Sequence, residues 1–390
     1  MLRIMTVHNR YRHQGGEDAV VAQEVRLLRE RGHDVRLFTR DNRSIPDGGT
    51  FRVAAGAIWS RPAAAALATA LSEHGADVVH VHNTFPLLSP SVYYAAARMG
   101  IPVVQTLHNF RLICPEATFL RAGEVCTDCL GLPVPWPAIR HACYRNSRSA
   151  STVSTAVIVT HKALGSWRRR VDAFIALTEF ARAQFVVGGL PGTRIYVRPN
   201  HVADPGDPEP DGQEGAESAL FVGRLSEEKG VRHLVEAWRG LDRPLLVLGS
   251  GPLEEELRSL APEHVNFAGH VTPAEVQKAL KRAAFLVVPS ICLEGFPLTV
   301  LEAYSAGVPV IAARLGSLAE IVADGETGLL YPAGSATALA SCARRLFGSG
   351  ELRASLGRQA RAVYVERYTP TIAYESLLGI YEMVGAAQPT

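Results

Sequence analysis

The sequence predicts an α/β protein with two doubly wound (Rossmann-like) parallel-sheet domains that face a central cleft. Short apolar segments alternate with helical stretches along the chain, which is typical of parallel strands covered by helices on both faces. The chain has 390 residues, enough for two domains, and 47% of them are hydrophobic, so each half can bury a core. Residues 199–218 are rich in proline, glycine and acids and interrupt this alternation. We interpret them as the linker between domains 1–198 and 219–370.

Nine apolar segments predict the strands in chain order, and the residues between them predict the covering helices. In the first domain the segments are residues 2–7, 35–39, 78–82, 103–107 and 174–177. In the second domain they are residues 220–222, 245–248, 285–288 and 308–312. In open sheets of this kind ligands bind beyond the carboxyl ends of the strands, so the loops that follow these segments are the first places to search for a site.

Residues 109–148 form a cysteine-rich insertion without a clear period. Four of the six cysteines of the chain lie in it: Cys114, Cys126, Cys129 and Cys143. A Cys-x-x-Cys pair closed by two more distant cysteines predicts a tetrahedral site for one structural zinc ion per chain. An iron–sulfur cluster and four buried thiols without a metal are the alternatives.

Charge and hydropathy exclude several classes of protein. Basic and acidic residues number 40 and 38, which gives a net charge of +2 and no general attraction for nucleic acid. The first strand starts almost at Met1 without a signal-peptide pattern, and no apolar run of about 18 residues occurs, so we expect a cytoplasmic chain without a transmembrane helix. Arginines flank residues 149–167 on both sides, and Trp167 is the last residue of this segment. They predict either a buried helix or a peripheral helix on the anionic inner face of the membrane.

Two acids flank a glycine turn that leads from the strand at 285–288 into a helix. Glu294 and Glu302 are separated by seven residues, and Gly295 follows the first of them. Glycine lets a ligand approach the backbone closely, and the first turn of the helix offers N–H groups to a phosphate or sugar oxygen. These N–H groups are those of Phe296, Leu298 and Thr299. Two acids this close in sequence do not suit the facing carboxylates of a glycoside hydrolase.

Two cations follow the strand at 220–222. Arg224 and Lys229 come after Gly223, a placement suited to binding a diphosphate. The chain contains no Asp-x-Asp sequence, so we expect no catalytic divalent metal. The alternative is a basic pair on a solvated strand end.

Further candidates lie after the strands of the first domain. Gly15 and Gly16 follow the first strand and open a helix, but they lack the G-x-G-x-x-G spacing of a nicotinamide-binding unit. His108 and Asn109 follow the strand at 103–107, and His82 ends the strand before it.

In four segments, in this order along the chain, the sequence resembles the retaining, nucleotide-sugar-dependent glycosyltransferases of family 4. The segments are Gly15-Gly16-Glu17, residues 221–230, the Glu294 to Glu302 pattern and residues 306–311. The resemblance implies the GT-B fold, with a C-terminal helix within residues 371–390 that packs back on the first domain. It also implies transfer from a nucleoside-diphosphate-sugar donor to a sugar, lipid-linked or small-molecule acceptor.

The resemblance implies a role for each donor-side residue. Arg224 and Lys229 would bind the phosphates and stabilise the leaving group. Glu302 would accept hydrogen bonds from the ribose, and Glu294 would contact the sugar near the reacting carbon. The remaining donor contacts would come from Gly15, Gly16, Gly295, Phe296, Leu298 and Thr299.

On the acceptor side, His108 would lie at the reaction centre beside Asn109, which replaces the aspartate found in many members of the family. Glu17, His82 and Asn109 are the acceptor-side candidates. Two other functions stay open: a non-catalytic binding protein that contains a zinc ribbon, and a nucleotide-sugar epimerase of the same architecture.

Overall fold

The computed structural model describes residues 1–12, 15–46, 51–206 and 218–386. It divides into two compact units. The first contains Met1–Phe119, Cys126–Asn200 and Thr371–Thr390, and the second contains Leu120–Val125 and His201–Pro370. The tip of the cysteine-rich insertion therefore belongs to the second unit, whereas the sequence placed the whole insertion in the first. Of the expected linker, residues 207–217 lie outside the described residues.

The described residues contain fourteen short strands. They are β1 Arg3–Arg10, β2 Asp34–Asp41, β3 Val78–Asn83, β4 Val103–Leu107, β5 Leu120–Arg121, β6 Glu124–Val125, β7 Ala173–Ala176, β8 Ile195–Val197, β9 Ser218–Val222, β10 Leu245–Leu248, β11 Val265–Gly269, β12 Ala283–Val288, β13 Val310–Ala313 and β14 Gly328–Tyr331. β5 and β6 form a small antiparallel hairpin.

The helices separate these strands. They are α1 Gly16–Glu30, α2 Phe51–Ile58, α3 Arg61–His74, α4 Ser91–Arg98, α5 Trp136–Arg140, α6 Arg148–Ala163, α7 Ser166–Arg169, α8 Glu179–Val187, α9 Val231–Trp238, α10 Glu254–Leu260, α11 Pro273–Leu280, α12 Leu298–Ser305, α13 Gly316–Ile321, α14 Ala336–Phe347, α15 Gly350–Arg367 and α16 Pro370–Met383.

Each unit contains a six-stranded parallel sheet, which confirms the predicted fold class. The order is β2-β1-β3-β4-β7-β8 in the first unit and β11-β10-β9-β12-β13-β14 in the second. In both sheets the chain direction across the sheet reverses once, between β1 and β3 and between β9 and β12. Ligands of doubly wound sheets bind at this switch point, beyond the carboxyl ends of the strands.

The core of the first unit joins its sheet to its first and last helices. α1 contributes Val21, Val25 and Leu28, while α16 contributes Leu377 and Ile380. Each such buried side chain stabilises the fold by roughly 1.5 to 3 kcal/mol. α16 thus packs on the first unit.

Five strands have no counterpart in the sequence prediction. β8, β11 and β14 are edge strands of three to five residues, so their apolar runs are too short to stand out. β5 and β6 have two residues each.

Residues 149–167 contribute to the interior of the first unit. Val157 and Ile158 of α6 are buried, and Trp167 in α7 is only 5% exposed. The tryptophan that the peripheral-membrane interpretation places at the bilayer surface therefore packs inside the protein. Binding of this helix to a membrane stays a prediction. Among the described helices, none combines the length and the apolar character needed to cross a membrane.

Candidate active site

In the second unit, two glycines hold the loops after β9, β10 and β12 together. Gly230 has a φ of 66°, and a Cβ there would lie 1.9 Å from the carbonyl oxygen of Pro289. Gly249 has a φ of 136°, and its Cβ would lie 1.9 Å from the carbonyl oxygen of Gly223. Only glycine permits both the left-handed backbone and this close approach. The loop that carries Lys229 therefore lies directly against the loop that leads to Glu294.

Lys229 and Glu294 form an ion pair at the switch point of the second sheet. Lys229 Nζ lies 2.5 Å from Glu294 Oε1, and Ser290 Oγ donates to the same oxygen at 2.7 Å. Burial raises the pKa of Glu294, but Lys229 and Ser290 lower it more, so its pKa is below the usual value. Burial also opposes the charge of Lys229, yet Glu294 raises the pKa of Lys229 above its usual value. Both groups are therefore charged at neutral pH.

Arg224 is a second cation beside this pair. It follows Gly223 at the carboxyl end of β9 and is exposed. Across the described parts of the chain, its guanidinium makes no hydrogen bond or ion pair. The loop thus presents one paired and one available positive charge.

Glu302 lies in the second turn of α12 and is partly buried. Burial raises its pKa, and its carboxylate has no hydrogen-bond partner within the described residues. Leu298 and Thr299 are the first two residues of α12, so their N–H groups have no acceptor within the helix. A carboxylate and helix N–H groups in this position can bind hydroxyl groups and anionic oxygens.

In the first unit, Glu24 of α1 is the centre of a buried polar network. Arg198 Nη1 donates to Glu24 Oε2 at 2.8 Å, while His80 Nδ1 lies 3.0 Å and His82 Nε2 3.3 Å from Oε1. Tyr381 of α16 hydrogen-bonds His80 at 2.7 Å. Burial raises the pKa of Glu24, but His80 and Arg198 together hold it well below the usual range. Glu24 is therefore ionised.

This network extends to His108. His82 Nδ1 lies 2.9 Å from His108 Nε2. Burial lowers the pKa of His82 to about 4 and that of His108 well below its usual value, so both rings are neutral at pH 7. With the proton of His82 on Nε2, facing Glu24, its Nδ1 accepts the Nε2–H of His108. The remaining nitrogen of His108, Nδ1, is then a hydrogen-bond acceptor.

Glu17 and Asn109 contact each other beside His108. Tyr11 Oη donates to Glu17 at 2.9 Å, and Asn109 Nδ2 donates to the same carboxylate at 3.1 Å. Burial raises the pKa of Glu17 to about 7, against the partial opposition of His8 and Tyr11. Glu17 is thus a carboxyl group that can hold or release a proton near neutral pH.

Gly15 and Gly16 begin α1 in the same region. The Gly15 N–H donates to Asp18 Oδ2 at 3.1 Å, and His8 Nε2 lies 2.9 Å from Asp18 Oδ1. A Cβ at either glycine would meet no described atom within 4 Å. The described residues therefore give no steric reason for the two glycines.

A cavity adjoins His108 within the first unit. Its walls include His82, Phe85 and Arg111, together with Val157 of α6 and Trp167. The Arg111 guanidinium carbon lies 4.8 Å from the ring centroid of Phe85 and 5.1 Å from that of Tyr144. The cavity thus combines an aromatic wall with a cation next to the predicted reaction centre.

The four clustered cysteines lie in one region of the first unit as thiols. Cys114 is buried, and the other three are partly buried. Burial raises the pKa of Cys129 to about 12, and the negative charge of the thiolate forms of Cys114, Cys143 and Cys126 acts in the same direction. The fold therefore brings together four cysteines that are up to 29 positions apart in sequence.

Several residues of the network were not found from the sequence: Glu24, His80, Arg198 and Tyr381. Glu24 carried a signal, because it lies on the same helical stripe as the buried Val20, Val21 and Leu28. A carboxylate on a core-facing stripe needs a buried partner. The sequence does not show which residue is that partner, because Arg198 lies 174 positions away along the chain.

Comparison with known proteins places the chain among glycosyltransferases. Residues 15–201 match the glycosyl transferase 4-like domain, and residues 207–363 match glycosyl transferases group 1. D-inositol 3-phosphate glycosyltransferase of Acidothermus cellulolyticus is 32% identical over 94% of this chain and 85% of the relative. Phosphatidyl-myo-inositol mannosyltransferase of Mycobacterium leprae is 31% identical over 61% of this chain and 66% of the relative.

Solved structures share the fold at low identity. HepE of Anabaena in complex with UDP is 16% identical, with a TM-score of 0.70 over 98% of this chain and 100% of that one. Sucrose-phosphate synthase of Thermosynechococcus elongatus is 19% identical, with a TM-score of 0.74 over 98% of this chain and 99% of that one.

The two doubly wound domains have the GT-B fold. The chain belongs to the glycosyltransferases of the family 4 type. This membership favours glycosyl transfer over the epimerase and the non-catalytic zinc-ribbon protein.

Proposed function

We propose that this protein transfers a sugar from a nucleoside-diphosphate-sugar to an acceptor hydroxyl, with retention of anomeric configuration. The observation that carries the proposal is the arrangement at the switch point of the second sheet, where Arg224 has no side-chain partner among the described residues and Lys229 pairs with Glu294. Two cations and an anion there match a diphosphate and the sugar attached to it. UDP and UDP-glucose complexes of the structural neighbour HepE support a donor of this class.

Donor binding would exchange partners within this site. The diphosphate takes the place of Glu294 as the partner of Lys229, and Arg224 binds it from the exposed side. Glu294 is then available to accept a hydrogen bond from a sugar hydroxyl, while Glu302 accepts from the ribose. As the sugar–phosphate bond breaks, the two cations stabilise the negative charge that grows on the leaving diphosphate.

For the acceptor we propose a hydroxyl-rich molecule that carries an anionic group. Arg111 lines the cavity beside His108 and supplies the matching positive charge. The names of two relatives specify an inositol phosphate and a phosphatidyl-inositol, which have this chemistry. Retention then follows from attack on the face that the diphosphate leaves, with the departing phosphate taking the acceptor proton.

Incubation of the purified protein with individual nucleotide sugars tests the proposal. We expect nucleoside diphosphate release with one donor, accelerated by hydroxyl-bearing acceptors with an anionic group, and an α-linked product from an α-linked donor. Conversion of the nucleotide sugar to an isomer without diphosphate release would instead establish the epimerase. A product of inverted configuration would contradict retention and leave transfer intact.

Glu302→Ala and Glu294→Gln should have different kinetic effects. Glu302 would contact the ribose in the ground state and the transition state alike, so its removal raises the donor KM about tenfold with little change in kcat. Glu294 would act on the reacting sugar, so its replacement lowers kcat by about 100-fold. Steady-state kinetics with varied donor measures both. Unchanged KM and kcat in Glu302→Ala would remove the ribose assignment.

Transfer should depend on pH through Glu17. Its pKa is about 7 in the folded protein, so its carboxylate form increases as pH rises from 6 to 8. If the Glu17 carboxylate accepts a hydrogen bond from the hydroxyl of the acceptor substrate, kcat/KM for that substrate rises over this pH range. Glu17→Gln then removes the rise. The effect of Glu17 on stability has the opposite sign. Between about pH 4.5 and pH 7 the folded state holds more protons than the unfolded state, so the free energy of unfolding falls as pH rises. A pH profile that is identical in Glu17→Gln would contradict the acceptor role.

A further inference from the structure

The backbone of the cysteine-rich insertion is unusual. Seven non-glycine residues of the described chain have positive φ, and six of them lie between positions 117 and 146. They are Ala117, Phe119, Ala122, Ala142, Arg145 and Asn146. Each costs on the order of 1 kcal/mol, and the surrounding segment has only two-residue strands and a five-residue helix to hold it. Further interactions must therefore fix this segment.

The chain wraps around the first pair of cysteines. The Ala117 N–H donates to the Cys114 carbonyl at 3.0 Å, and the Cys114 N–H donates to the Phe110 carbonyl at 2.8 Å. The Phe119 carbonyl in turn accepts the N–H of Cys126 at 2.7 Å. Ala117 and Phe119, which make these hydrogen bonds, are among the residues with positive φ. The backbone with positive φ thus ties Cys126 to the turn that carries Cys114.

A second pair is organised around Ala138 in α5. Its carbonyl accepts the N–H of Cys143 at 3.0 Å, and its N–H donates to the Pro135 carbonyl at 3.3 Å, which also accepts from the Cys129 thiol at 3.8 Å. All three other cysteines lie close enough to Cys129 to act on its charge. Hydrogen bonds of the backbone thus link Cys114 to Cys126 and Cys129 to Cys143, and the two pairs lie in one region of the first unit.

We propose that Cys114, Cys126, Cys129 and Cys143 together bind one zinc ion as four thiolates. Binding releases the four thiol protons to solvent. Tetrahedral zinc–thiolate bonds of about 2.3 Å place the sulfurs about 3.8 Å apart. In the described chain no three of these sulfurs lie within 4.8 Å of one another, so the ion draws them inward. With four protein ligands it has no open position for water and is structural.

The zinc site would also stabilise the chain segments next to the cavity beside His108. Arg111 precedes Cys114 by three residues, and Tyr144 follows Cys143 directly. Arg111 contacts the rings of Phe85 and Tyr144 at the cavity. Zinc thus fixes both chain segments that position Arg111. This consequence rests on the acceptor site proposed above, whereas zinc binding itself does not.

Elemental analysis of the full-length protein, purified after expression with added zinc, tests the site. We expect one zinc per chain in the wild type and less than a tenth of that in Cys126→Ser/Cys129→Ser. Cys342→Ser is the matched control, because it changes a partly buried cysteine of the second unit and should keep one zinc. A metal-free wild type, iron with acid-labile sulfide, or zinc retained in the double variant would each overturn the proposal.

A second measurement avoids dependence on the folding of the double variant. The wild type is stripped with a chelator and titrated with Co²⁺, which reports tetrahedral thiolate coordination through its visible absorption. We expect saturation at one equivalent and displacement of the spectrum by zinc. An octahedral cobalt spectrum without thiolate bands would exclude the four-cysteine site. A rise in acceptor KM after stripping would add support for the link to Arg111, and an unchanged acceptor KM would restrict zinc to a role in stability.

Discussion

Replacement of either cation of the proposed diphosphate site should strongly reduce transfer. We expect Arg224→Ala and Lys229→Ala each to remove about 2 to 4 kcal/mol of transition-state stabilisation, which is roughly a 30- to 900-fold loss in kcat/KM. The reason is that the negative charge of the leaving diphosphate grows during bond cleavage, and these are the cations that the β9 loop presents to it. Diphosphate release measured at several donor concentrations gives kcat and KM separately.

The two variants should differ in stability. Arg224 is exposed and has no partner within the described chain, so Arg224→Ala should unfold at the same urea concentration as the wild type. Lys229→Ala leaves Glu294 partly buried without its cation, so a lower midpoint is expected. Arg258→Ala is the control, because it removes a largely exposed arginine paired with Glu254 in the same unit. Near-normal turnover in both folded site variants would exclude the diphosphate role.

Glu24→Ala should cause a comparably large loss, in stability as well as in activity. It would leave the buried Arg198 guanidinium without its carboxylate, and breaking a buried ion pair costs about 3 to 5 kcal/mol. Urea unfolding of the purified variant measures this cost. Glu30→Ala is the matched control, since Glu30 lies in the same helix and is exposed. An equal effect of the two substitutions would show that the network does not stabilise the first unit.

The same network should act on catalysis through the orientation of His108. We treat Glu24 and His82 as positioning residues, because both are buried and form a chain of contacts that ends at the His108 ring. In His82→Phe the Nε2–H of His108 loses its acceptor, so kcat should fall about tenfold or more while the donor KM stays nearly constant. His82→Asn, whose side-chain amide oxygen can accept a hydrogen bond, should recover part of the rate. Equal kcat values in His82→Phe and His82→Asn would indicate that His82 contributes only by packing.

Much of the fold can be predicted because its signals are local. The apolar strands at β3, β4 and β12 are continuous and buried, and such runs separated by helices define parallel sheets. The edge strands β8, β11 and β14 are too short for that signal. The donor-side residues also lie in short motifs that directly follow strands, so their common edge of the sheet follows from the strand order.

By itself, the sequence determined the two doubly wound domains, the glycosyltransferase family and the residues at the carboxyl end of the second sheet. Only the tertiary structure decided which charges face each other. Lys229 pairs with Glu294 across 65 positions, and Glu24 meets Arg198 across 174. It also decided that Trp167 is buried and that the four cysteines of the insertion lie in one region of the first unit. Strand and turn signals arise from neighbouring residues, whereas burial, ion pairing and the resulting pKa shifts depend on contacts that form only when distant segments pack together.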